Sequence, residues 1–192
     1  MNVPVGFLKK TSLFRGVSEQ ELPALLDCLA PGVRDYAKNE LILRQGEDVS
    51  AVGMVLSGRA QVIEEDFWGD RSILADAWPG DLFAEAYAFL PGELLRVSVV
   101  AAEPSSVMLL DGRRMLAVCS SACAYHTRLV QNLLAESARK NLALTRKVSH
   151  MSKRTTRDKL LSYLSGQSIA AGSDAFEIPF NRQQLADYLC VD

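Results

Sequence analysis

From Ala122 to His150 the chain reads ACAYHTRLVQNLLAESARKNLALTRKVSH, with no glycine and no proline, which permits one unbroken helix of unusual length. Upstream the pattern is the opposite. ELILRQG, AVGMVLSGRAQVIEED, RSILADAW, LLRVSVVAAE and SSVMLLDG are short β-rich runs, punctuated at turn-like positions by Gly46, Gly58, Gly69, Gly80 and Gly92. About seven short strands in one stretch predict a closed or double-sheeted antiparallel structure, because exposed strand edges need covering. WPGDLFAEAYAFLPGE interrupts the series with a short helical piece.

The long helix carries an apolar side: Leu129, Val130, Leu133, Leu134, Ala138, Leu142, Thr145, Val148 and Met151 recur at three- and four-residue steps. Two arrangements bury such a stripe. A second copy of the helix is the simpler, and packing on its own β domain is the competitor. Ahead of the strands, SLFRGVSEQELPALLDCLA places Ser18 and Glu21 as a capping box before a Leu22, Leu25, Leu26, Leu29 stripe. Behind the long helix, SKRTTRDKLLSYLSGQS predicts a further helix capped by Thr155 or Thr156, with Leu160, Leu161 and Leu164 inward. AGSDAFEIPF predicts a turn and short strand, and Asn181 caps a last helix, RQQLADYL.

Charge separates the two ends. Nine of the 21 Lys and Arg but five of the 23 Asp and Glu fall in residues 139–192, giving +4 there against −6 in residues 1–138. A basic C-terminal part is consistent with a nucleic-acid-facing surface or with a solvated helix face. No apolar run approaches a membrane span, and MNVPVGFLKKTSLF lacks a secretory signal layout, so the expectation is a cytoplasmic protein. The four cysteines, Cys28, Cys119, Cys123 and Cys190, form no CxxC pair and read as packed or idle thiols; Cys119 and Cys123 could also form a thiol switch. His126 and His150, the two histidines, are expected on helix surfaces, so no metal, haem or iron–sulfur cluster is expected. An enzyme of the metal-dependent cupin type would need about three inward-facing ligands on strands, and no histidine precedes His126, so no enzyme activity is expected.

In this order, LFRGVSEQEL, PGDLFAEAYAF, SKRTTRDKLLSYL and IPFNRQQLADYLCVD resemble the Crp/Fnr family of bacterial transcription regulators over essentially the whole chain. The resemblance implies an α+β fold. Residues 1–120 would form a β-roll (jelly-roll) sensor domain like those that bind cyclic nucleotides, 121–151 a long dimerisation helix, and 152–192 an incomplete winged helix-turn-helix domain. It implies a homodimer through the long helix, with promoter DNA and RNA polymerase as partners of the full-length form, and a small-molecule effector. Arg182 and Gln183 would contact DNA phosphates or cap their helix, Lys153, Arg154 and Arg157 would mark the hinge side, and Asp192 would cap a recognition helix that the chain as given lacks.

For the effector, the resemblance maps Gly80 to a tight entry turn. Glu85 maps to the acidic residue that accepts from a ribose hydroxyl, and Ala86 to the short helix whose N–H groups face an anion. Ser98 maps to the polar residue that helps hold phosphate. The family's cyclic-nucleotide binders place an arginine immediately before that residue, where this chain has Val97. Arg96 is one step back, on the opposite face of an alternating strand unless a bulge in the longer loop after Glu85 brings it in. Thr145 is the one hydroxyl candidate for an adenine. A buried phosphate without its guanidinium costs several kcal/mol, so the expected effector is not cAMP. The competing reading is a nucleotide-sensing regulatory module without DNA-binding activity.

Overall fold

The structure, a computed structural model, describes residues 4–65, 71–117, 124–178 and 180–191. Gly69, Cys119, Cys123 and Asp192 lie outside those residues. The chain divides into two compact units, Met1–Leu134 and Ala135–Asp192.

The first unit is built on two four-stranded antiparallel sheets. One has the order β1 (Gly32–Tyr36), β8 (Ser105–Asp111), β3 (Ala51–Ser57), β6 (Leu82–Phe83). The other has the order β2 (Leu41–Leu43), β7 (Ser98–Ala101), β4 (Ala60–Glu65), β5 (Arg71–Ala77). Together with a long helix this is the β-roll the sequence predicts. Side-chain alternation explains the layers. On β3, Val52 and Met54 face a cluster of helical leucines, while Val55 joins Tyr36, Ala60, Phe83, Val99 and Val107 between the sheets. On β8, Met108 and Leu110 take the first face and Val107 the second. Both faces of this sheet are covered, which is why its central strands read as continuous apolar runs. β5 is an edge strand and is exposed up to Ala77.

Helices α1 (Val5–Leu8), α2 (Leu22–Leu29), α4 (Gly112–Leu116) and the start of α5 (Ala124–Met151) close the outer face of the first sheet. The expected capping box forms on the turn ahead of α2. Ser18 N donates to Glu21 Oε2 at 2.9 Å, and Glu21 N donates to Ser18 Oγ at 3.3 Å. The Ser18 backbone N–H, followed by its hydroxyl, holds the Glu21 carboxyl below the usual carboxylate range. Because the folded value is the lower one, this contribution is full above the unfolded pKa and is lost as pH falls through the folded one. Glu21→Gln is therefore expected to unfold at lower urea than the parent at neutral pH, with the gap closing on acidification. A gap that stays constant through the acidic range contradicts this.

In the first unit, α5 packs through its start. Leu129 and Leu133 are buried, Asn132 Nδ2 donates to Leu13 O at 2.9 Å and Arg15 O at 2.8 Å, and Arg128 donates to Gly16 O. The stripe beyond is exposed at Leu134, Leu142 and Val148. His126 is not on a helix surface: it is 7% exposed, with Nε2 3.1 Å from Arg114 O. Bonding that carbonyl requires the proton on Nε2, and the buried Nδ1 has no hydrogen-bond partner among the described residues.

In the second unit, Thr155 caps α6 (Thr156–Ala171), accepting from Asp158 N, and Gly172 closes it in the left-handed conformation that favours glycine. Tyr163, rather than Leu161, is the buried residue of α6, because the rings of His150, Phe180 and Tyr188 collect around it. Leu161 is half-exposed. The strand expected in AGSDAFEIPF is absent among the described residues, which run from Gly172 as turn and irregular chain. Asn181 caps α7 (Arg182–Leu189) in a complete capping box with Gln184.

Candidate effector site and nucleic-acid interface

The approach to the candidate effector site begins after β5. Trp78 N donates to Asp81 Oδ2 at 2.9 Å, and Gly80, at φ +96°, donates its N–H to Val55 O at 2.8 Å. Only a residue without a Cβ takes this turn at no steric cost. β6 then pairs with β3, placing Phe83 opposite Gly53. Ala84 takes a left-handed conformation, φ 61°, strain of about 1–2 kcal/mol for a non-glycine residue. It turns the chain into α3 (Glu85–Ala88), whose Tyr87 and Ala88 N–H groups donate back to Ala84 O. Glu85 is thus the first residue of a one-turn helix and half-buried, while Ala86 is exposed. One turn supplies few free N–H donors and little dipole, so α3 is a weak anion holder by itself.

Ser98 opens β7, in the other sheet. Its Oγ accepts from Gln45 N at 3.0 Å. Two further bonds, Gly46 N to Leu95 O at 2.8 Å and Leu95 N to Glu47 O at 3.0 Å, fasten the β2–β3 loop to the segment entering β7. The hydroxyl proton of Ser98 has no acceptor among the described residues, so one donor remains for a ligand oxygen. Arg96 does not bulge inward. It is 80% exposed and pairs with Glu93 at 3.3 Å. An exposed pair of this kind contributes at most about 1 kcal/mol, so backbone placement and not Glu93 keeps Arg96 from Ser98. Gln45 and Glu93 are the two residues of this site that sequence reasoning missed.

Thr145 belongs to the second unit, where its hydroxyl donates to Asn141 O at 2.9 Å. On that unit Arg146, Lys153, Arg154, Arg157 and Arg182 are exposed cations. Gln183 is engaged along its own helix, donating to Asp187 Oδ1 at 3.0 Å. α7 ends at Cys190 in the left-handed conformation, φ 49°. Lys159 braces that end, its Nζ donating to Leu189 O at 3.2 Å and Cys190 O at 3.1 Å, where the helix leaves carbonyls unbonded. Lys147 Nζ lies 5.2 Å from the centre of the Tyr188 ring. A capped helix that starts at the exposed Arg182 and ends in a braced tight turn suits phosphate contact.

Among the described residues, no group of three or more His, Cys, Asp or Glu is arranged to hold a metal ion, and no helix is long and apolar enough to cross a membrane. Cys28 and Cys190 are exposed and not in disulfides.

Residues 33–122 match the family model described as the cyclic nucleotide-binding domain. A cAMP-dependent protein kinase regulatory subunit of Dictyostelium discoideum is 28% identical over 116 residues, 59% of this chain and 35% of that protein. The chain thus spans about a third of the length of that relative. The solved catabolite activator protein of Thermus thermophilus matches with a TM-score of 0.57 and 20% identity, over 94% of this chain and 81% of that one. DNR from Pseudomonas aeruginosa matches with a TM-score of 0.55 and 21% identity, over 100% of this chain and 83% of that one. At such identities the two structures share the fold. The chain therefore contains a region matching the cyclic nucleotide-binding domain family, and its structural neighbours include regulators of the Crp/Fnr type.

Proposed function

We propose that this protein is a DNA-binding transcription regulator of the Crp/Fnr type. It works in the cytoplasm as a homodimer paired through α5, with promoter DNA and RNA polymerase as partners of the full-length form, and its β-roll senses an effector other than cAMP. The observation that carries the regulator reading is the end of the second unit: a fully capped α7 whose left-handed turn is braced by Lys159, in a unit that carries exposed cations. A module that only senses a nucleotide has no use for that arrangement. On the sensor, Gly80, Glu85 and Ser98 keep the outline of a nucleotide site, but Val97 stands where a guanidinium would meet the phosphate. Arg96 is turned to solvent.

Titration calorimetry tests the effector. cAMP is expected to bind no tighter than about 10 μM, well short of what a paired phosphate supports, and tighter binding sinks the missing-guanidinium argument. Selection from a random DNA pool tests the other half. With a form of the protein that includes the recognition helix, the expected product is a two-fold symmetric site with half-sites one helical turn, roughly 34 Å, apart. If nothing is enriched, the second reading stands: a nucleotide-sensing regulatory module without DNA binding. The similarity to a protein named as a kinase regulatory subunit favours that alternative.

A further inference from the structure

We propose that the outer face of the first sheet holds a second small-molecule site, distinct from the residues around Glu85 and Ser98, whose ligand is a primary amine with a short apolar body. A cleft of about 390 Å³ lies between α1 and the end of β3, lined by Pro4, Phe7, Leu56, Ser57 and Ser106. Small-molecule sites have volumes of roughly 300–1,000 Å³. The polar side of the cleft has a local cause. Between Val55 and Ser57 the pairing of β3 with β8 slips, so that Leu56 is an extra residue and Ser57 comes opposite Ser106. Such a bulge re-aims side chains, and here it adds a hydroxyl beside Leu56 at the end of the apolar row of Val52 and Met54.

Beyond Ser106 the row reaches Asp35, its partner on β1. Val33, two residues earlier, packs with the leucines on this face, so Asp35 belongs to the same face. Residues directly opposite on antiparallel strands stand roughly 4.5–5.5 Å apart. Asp35, Ser106 and Ser57 therefore form a line of oxygen-bearing side chains across three strands, and none of them has a side-chain hydrogen bond or ion pair among the described residues. That line selects the ligand. An ammonium has three donors and no acceptor, which matches a carboxylate and two hydroxyl oxygens, whereas an anion would meet Asp35 as a like charge. No Lys or Arg lines the cleft. Residues 1–138 carry a net charge of −6, which draws cations. Phe7, Pro4 and Leu56 offer the apolar body one aromatic and two aliphatic surfaces. The cleft also adjoins the turn that leads into α3. A Cβ at Gly80 would lie 3.9 Å from Phe7 Cζ, Gly80 N donates to Val55 O at 2.8 Å, and Val55 N donates to Asp81 O at 3.2 Å.

Titration of the intact chain with 2-phenylethylamine, followed by NMR through the Phe7 ring and Leu56 methyl signals, tests the site. Binding at about 1 mM or tighter is expected. 2-Phenylethanol, which has the same body without the charge, should bind about fivefold more weakly or worse. Asp35→Asn keeps the side-chain shape at an exposed residue of an edge strand, so the fold stays in place. It is expected to weaken the amine about fivefold or more and to leave the alcohol unchanged. An alcohol bound as tightly as the amine, or parental amine affinity in Asp35→Asn, overturns the amine assignment. No shift at Phe7 and Leu56 up to about 10 mM amine overturns the site itself. None of these readouts depends on DNA or cAMP, so they are separable from the outcome of the regulator reading.

Discussion

Gly53→Val is expected to lower the stability of the first unit by about 3 kcal/mol or more, read as a shift of its urea midpoint. Gly53 sits in the middle of β3, directly opposite Phe83 of β6, and a Cβ built there would overlap the Phe83 ring. That ring is buried between the sheets with Val55, Ala60, Ala77, Val99, Ala101 and Val107, so it has no free volume to retreat into. Either β3 and β6 separate or the ring leaves the core. Expelling an aromatic from a packed interior costs about as much as deleting it, roughly 3–5 kcal/mol. The next residues are Ala84 and Glu85, so the same displacement moves α3 and should weaken effector binding as well. Combining Gly53→Val with Phe83→Ala should cost less than the two changes separately, because they share one volume. A Gly53→Val protein within 1 kcal/mol of the parent would show that the ring is not confined.

The elements legible in the sequence were those whose burial is two-sided or whose caps are local. VGMV and VMLL announce β3 and β8 because both faces of that sheet are covered, and Asn181 with Gln184 announces α7 because the capping box lies within one turn. GVRDY gives no such signal because β1 is an edge strand with Tyr36 as its one buried residue, and β6 is two residues long. His126 was misplaced because its burial depends on α4, whose Arg114 carbonyl meets the ring from twelve residues away. At the candidate site, Gly80, Glu85 and Ser98 were reachable through the family resemblance, because each lies in a short contiguous motif. Gln45 could not, since its bond to Ser98 spans 53 residues of chain and no local periodicity records it.

Tyr163→Ala is expected to cost about 3–5 kcal/mol and to melt the second unit while the first remains folded. Tyr163 and Leu189 are the buried hydrophobic residues of that unit among those described. The Tyr163 ring has His150 at 5.8 Å, Tyr188 at 5.6 Å and Phe180 at 6.1 Å, so it joins α5, α6 and α7. Each such ring pair adds about 0.5–1.5 kcal/mol beyond the buried area. Burial, and secondarily Tyr188, pushes the Tyr163 phenol above its usual value, so the neutral ring persists through the physiological range. A unit this small covers a modest share of its surface and has little stability in reserve. Scanning calorimetry should therefore resolve a second, unshifted transition from the first unit. Proteolysis should cut between Lys153 and Cys190 while the β-roll survives. Effector binding measured on the same sample should be retained, and DNA binding by a form that includes the recognition helix should be lost. Retention of both, with one parental transition, would mean that Leu189 and the helix caps hold the unit without the aromatic cluster.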